Sequence, residues 1–177
     1  MDFKNNDLET KLNFALVNVE KNNLEKASNI YKKILKKYPN NFDANFNLGT
    51  ILAKTNNLEK SVELLEKAAT INPNLEKIFN NLGLIYLNLG NTEKAIENTK
   101  KAIKLNQSSS IAYNHLGLIY LNLGNIDEAI KSYSKSLKFN PNNIPVNYNL
   151  GNLFKRINDL KNSEKYFNNT LELDPKH

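Results

Sequence analysis

Prolines stand at Pro39, Pro73, Pro141 and Pro175, and Gln107 fills the one slot that this 34-residue interval leaves vacant. Glycines keep the same step at Gly49, Gly83, Gly117 and Gly151, with Ala15 in the first place. Immediately before them come Phe14, Leu48, Leu82, Leu116 and Leu150; twelve residues after them come Ala27, Ser61, Ala95, Ala129 and Ser163, all small. Four residues further on are Tyr31, Leu65, Thr99, Tyr133 and Phe167. A period of this length means one supersecondary unit copied in tandem. Such a chain stacks its copies instead of closing one irregular core.

Each unit reads as two amphipathic helices, with apolar residues at three- and four-residue steps: Phe79, Leu82, Ile85 and Tyr86, then Ala95, Ile96, Ala102 and Ile103. Between the helices sit Asn22-Asn23, Asn56-Asn57, Gly90-Asn91, Gly124-Asn125 and Asn158-Asp159. Glycine and asparagine tolerate the left-handed backbone that ends a helix, which accounts for this column. The glycine after each leucine and the small residue twelve later predict a close approach of the two helices. Proline is excluded from a helix interior, so it closes each unit and rules out one long coiled coil. A single hairpin leaves its apolar face in water, whereas stacked hairpins cover one another.

The set Tyr113, Leu116, Gly117, Tyr120, Ala129, Tyr133 and Pro141 resembles the tetratricopeptide repeat (TPR) family, whose pattern is W-x2-L-G-x2-Y…A-x3-F…P. The resemblance covers residues 8–177 in five units, 8–41, 42–75, 76–109, 110–143 and 144–177, after a leader of residues 1–7. The tryptophan slot departs from the pattern, holding Lys11, Asn45, Phe79, Tyr113 and Asn147. The resemblance implies an all-α fold, a right-handed α-solenoid of five helix-turn-helix units. It also implies a protein-interaction scaffold whose first helices line a concave surface that binds an extended peptide.

Counted from the start of each unit, position 6 holds Asn13, Asn47, Asn81, His115 and Asn149. This column resembles the asparagine ladder in the TPR superhelix of O-GlcNAc transferase, which grips a peptide backbone. A primary amide donates and accepts, and so matches a peptide unit whatever its side chain. Neutral imidazole offers one donor and one acceptor, so His115 would be a tuned rung. The plainer alternative is that these asparagines are solvated or bridge repeats, since the chain has 34 asparagines in 177 residues. Leu84, Leu87, Leu118 and Leu121 fall at positions 9 and 12 of units three and four. They are expected either on the groove floor, as a site for apolar side chains, or buried against neighbouring helices. Lys54, Lys155 and Arg156 flank the expected groove.

TPR clamps for chaperone carboxylate tails resemble a different pattern, with lysine at position 5, and that position here reads Leu12, Phe46, Asn80, Asn114 and Tyr148. Asn47 and Lys77 match isolated slots, but Asn81 occupies the arginine place. A chaperone-tail clamp is therefore not expected.

The net charge is +6, but Arg156 is the only arginine. Without arginine's planar fork the basic excess argues little for nucleic acid. With no cysteine, and only His115 and His177 as imidazoles, no metal and no cofactor are expected. No phosphate loop, nucleophile elbow or zinc-protease signature occurs. Glu59, Glu63, Glu66, Glu93 and Glu97 lie beside lysines on the second helices, the pattern of solvated pairs and not of paired catalytic acids. The chain is read as a non-enzyme. No signal peptide and no membrane-length apolar run is found, so a cytoplasmic location without membrane contact is expected. A substrate-recruiting TPR segment of a larger enzyme, such as a glycosyltransferase, is the alternative. The last unit has Leu171 and Leu173 with no capping helix after them, so self-association through that helix is a further expectation.

Overall fold

The computed structural model describes residues 3–176. Met1 and Asp2 of the leader, and His177 among the two histidines considered above, lie outside the described residues. Ten α-helices occur among those described: α1 (Phe3–Glu20), α2 (Leu24–Lys37), α3 (Phe42–Lys54), α4 (Leu58–Ile71), α5 (Glu76–Asn88), α6 (Thr92–Leu105), α7 (Ser110–Asn122), α8 (Ile126–Phe139), α9 (Ile144–Arg156) and α10 (Leu160–Leu173). The helices from α3 onward start where the 34-residue register places them. α1 starts upstream of residue 8, so residues 3–7 of the leader belong to this helix.

The turn inside every hairpin has one construction. Asn22, Asn56 and Asn158 take φ of 58°, 59° and 60°, and Gly90 and Gly124 take 74° and 73°. The next residue then sends its N–H five residues back: Asn23 to Val19's neighbour Asn18, Asn57 to Leu52, Asn91 to Tyr86, Asn125 to Tyr120 and Asp159 to Phe154, all at 2.8–2.9 Å. This is the Schellman closure, which satisfies a carbonyl that the ending helix leaves open. The same residue opens the second helix. The side chains of Asn91, Asn125 and Asp159 accept from the backbone N–H of Lys94, Glu128 and Asn162, a cap worth about 1 kcal/mol.

Within hairpins the glycine column lets helices touch. A β-carbon at Gly117 would stand 2.6 Å from the Tyr133 ring, and one at Gly151 would stand 2.7 Å from Phe167. Either contact is too short to tolerate without movement. The small residue twelve positions on adds a bond in two hairpins: Ser61 Oγ donates to the Gly49 carbonyl at 2.6 Å and Ser163 Oγ to that of Gly151 at 3.0 Å.

Two compact units divide between Ile85 and Tyr86. In the first, α1 packs on α2, α2 on α3 and α3 on α4. Its core joins Ala15, Ala27, Tyr31, Ile34, Ala44, Leu48 and Ile51. In the second, α6 packs on α7, α7 on α8, α8 on α9 and α9 on α10. Its core is Ala129, Tyr133, Val146, Leu150 and Leu153. Both cores are built from the columns that recur every 34 residues. No helix among the described residues is long and apolar enough to cross a membrane.

Candidate functional site

The position-6 residues meet different fates. In the first unit Asn13 is exposed on α1 and Asn47 half-buried on α3. Asn81 on α5 is half-buried and its Nδ2 donates to Thr50 Oγ1 on α3 at 3.2 Å. Thr50 in turn donates to the Phe46 carbonyl at 2.9 Å, so its oxygen is oriented to receive Asn81. One repeat's position 6 therefore lies against the preceding repeat's position 9. The Asn81 carboxamide is turned so that its amino group is used and its oxygen is left as an acceptor. Asn47 makes no hydrogen bond among the described residues.

In the second unit Asn149 on α9 is half-buried, with Nδ2 3.4 Å from the Tyr133 hydroxyl on α8. Burial pushes the Tyr133 hydroxyl above its ordinary pKa, against a smaller opposing effect of the Asn149 hydrogen bond. Tyr133 thus stays neutral across the physiological range. His115 is buried in α7 at 9% exposure, whereas Asn13, the same register position on α1, is exposed. Of the leucines, Leu118 and Leu121 are half-buried and pack on the core of the second unit. Leu84 and Leu87 on α5 are also half-buried. None of the four is open to solvent over most of its surface. Lys54, Lys155 and Arg156 are exposed, as are Glu59, Glu63, Glu66, Glu93 and Glu97 on the second helices.

One set of functional-looking residues has a role that the sequence pattern did not reveal. Asn45 and Asn147, in the tryptophan slot, are each 1% exposed. Asn45 Nδ2 donates to the carbonyls of Pro39 at 3.0 Å and Asn41 at 2.7 Å. Asn147 Nδ2 donates to those of Pro141 and Asn143, both at 3.1 Å, and its oxygen accepts from Asn169 at 3.3 Å. These amides tie the inter-repeat loop to the helix that follows it. The matching Pro-x-Asn spacing before both asparagines was the available signal.

Ion pairs join Lys11 to Asp7 and Lys131 to Glu128 at 2.6 Å each, both exposed and within single helices. No group of three His, Cys, Asp or Glu able to hold a metal ion occurs among the described residues. The chemistry on offer is amide hydrogen bonding beside apolar contact.

Comparison with known proteins gives one answer at the level of fold. Family profiles described as "Tetratricopeptide repeat" match residues 9–41, 30–63, 76–109, 110–143 and 144–177, and one described as "TPR repeat" matches 49–90. A crystal structure of MamA protein is 26% identical, with 96% of this chain and 92% of that one covered and a TM-score of 0.78. YrrB, described as a TPR protein with an unusual peptide-binding site, is 22% identical, with 94% and 86% covered and a TM-score of 0.71. PilF of Pseudomonas aeruginosa is 19% identical, with 99% and 80% covered and a TM-score of 0.86. No curated protein matches the sequence. The all-α solenoid class expected from the repeat is the class of these structures.

Proposed function

Because the chain belongs to the tetratricopeptide repeat family, we propose that it is a protein-interaction scaffold that holds an extended segment of a partner along its first helices. The observation that carries this reading is the unequal use of the amides in the first unit. Asn47 has no partner within the described residues, and Asn81 has its amino group engaged by Thr50. A guest backbone supplies the complement: its carbonyl accepts from Asn47, and its N–H donates to the Asn81 oxygen. Asn13, exposed on α1, continues the same register. In the second unit Asn149 plays the corresponding part, with its amino group on Tyr133, and buried His115 backs the surface. Leu84, Leu87, Leu118 and Leu121 add the apolar contact that half-buried side chains still offer. YrrB indicates that a fold of this kind can house a peptide site; the residues proposed here come from this chain alone.

The test is selection from a random peptide library on the immobilised protein, followed by titration of the selected peptide. Each hydrogen bond contributes about 0.5–1.5 kcal/mol, so Asn47→Ala and Asn81→Ala should each weaken binding by about 2- to 10-fold. Glu63→Ala, on the exposed face of α4, should leave it unchanged. Parental affinity in both asparagine variants would end this reading.

A further inference from the structure

The 34-residue register allows the outer faces of α1 and α10 to be compared with the same faces of internal helices. Phe14 and Val17 on α1 correspond to Leu48 and Ile51 on α3, and to Leu150 and Leu153 on α9. Those four internal residues are 0–3% exposed because the preceding second helix covers them, whereas Phe14 is 51% and Val17 40% exposed. On the other side, Leu171 of α10 corresponds to Leu35 on α2 and Leu137 on α8. Leu35 packs on the core that includes α3, and Leu137 on the core that includes α9. Leu171 is 48% exposed and Leu160, at the start of the same helix, 64%.

Each face is thus one half of an interface that this protein makes internally. The half on α1 is also shaped to receive a side chain. A pocket of about 310 Å³ between α1 and α2 is bounded by Leu8, Phe14, Ile30, Ile34 and Tyr38. Its rim is basic on balance, with Lys33, Lys37 and the Lys11–Asp7 ion pair, while Glu172 on α10 and Asp174 just after it flank Leu173, against Lys176 further on. Apolar character and the sign of the net charge both match.

We infer that the occupant of the α1 face is α10 of a second copy, docked head to tail so that the two copies reproduce the packing of α2 on α3 and of α8 on α9. Such a contact is heterologous: each copy uses two different faces, and both remain available at the ends of any assembly. Assembly then grows with concentration.

The experiment is sedimentation velocity of the 177-residue protein from micromolar to millimolar concentration, with circular dichroism to verify folding. The parent should sediment faster as concentration rises. Phe14→Glu and Leu171→Glu alter exposed side chains, so both should remain folded, and each alone should stay monomeric. Mixed together they should form a dimer and nothing larger, since one intact α1 face then meets one intact α10 face. Asn47→Ala should assemble like the parent, which separates this contact from the peptide groove. A parent that is monomeric throughout would overturn the inference. So would assembly lost only with Phe14→Glu, which marks an α1–α1 contact, a mixture that fails to pair, or loss with Asn47→Ala.

Discussion

Two asparagines two residues apart on α3 show how little residue type alone decides. Asn45 is 1% exposed and donates to the Pro39 and Asn41 carbonyls, whereas Asn47 is half-buried and makes no such bond among the described residues. Removing Asn45's amide would cost the carbonyls of exposed Pro39 and half-buried Asn41 one donor each, the latter keeping the backbone N–H of Asn45, and would open a small void. Two hydrogen bonds together contribute about 1–3 kcal/mol, so Asn45→Ala should lower the thermal midpoint clearly while Asn47→Ala leaves it within error. Thermal melts of the two variants side by side check this. Both residues stand in register columns, so both were visible in the sequence as recurrent positions. Their assignment was not. The tryptophan slot at Asn45 read as a mild departure from the family pattern, because nothing in the linear sequence says that the loop carbonyls turn back toward it.

At the scale of the element, legibility was far better. The Asn/Gly pair in each hairpin predicted a left-handed residue, and all five positions have positive φ. The reason is local: the backbone preference of a glycine or asparagine acts wherever the chain goes. The prolines are a different case. α6 ends at Leu105 with Gln107 in the proline slot, and its cap Asn106 donates to the Ala102 carbonyl at 2.9 Å, as Asn72 and Asn140 do to Ala68 and Ser136 in the repeats that have proline. Proline marks the boundary without being required for it. The turn gives a direct test at Gly124, where φ is +73° and no atom lies within 4 Å of an added β-carbon. Gly124→Asn should change stability by less than about 0.5 kcal/mol, because Asn22, Asn56 and Asn158 already hold that conformation. Gly124→Val should cost about 1–2 kcal/mol from the left-handed backbone alone. Urea titrations of both variants measure the difference.

For the whole molecule, the consequence of repeat construction is that stability is regional. The core of the second unit contains Leu150, which is 0% exposed among Ala129, Tyr133, Val146 and Leu153. Leu150→Ala removes buried volume there and should cost about 2–5 kcal/mol. Nearest-neighbour energetics confine much of that loss. Hydrogen-exchange mass spectrometry should therefore show faster exchange in α8, α9 and α10 than in α2 and α3. Equal acceleration in all five helices would indicate a single cooperative unit instead. The apolar faces of α1 and α10 belong to this scale too. At α10 the partly exposed side chains are Leu171 and Leu173, apolar residues that the sequence displayed directly. The one on α1 was not legible, because Phe14 fills the same column as Leu48 and Leu150, which are buried.

The sequence by itself determined the period, the ends of the second helices and the start of each helix from α2 onward, and the chemistry of the buried columns. These depend on backbone preferences and on side-chain periodicity along consecutive residues, and both are written in order along the chain. Only the tertiary structure decided which amides are already spoken for. A carboxamide is satisfied by whatever donor or acceptor folding brings within about 3 Å. Asn81 finds Thr50, thirty-one residues earlier, and Asn149 finds Tyr133, sixteen earlier. Asn47, in the same column, makes no side-chain bond among the described residues: position 9 of the preceding unit is Leu16, which has no polar atom to offer, and the hydroxyl of Tyr31, sixteen residues earlier, is buried without a hydrogen-bond partner.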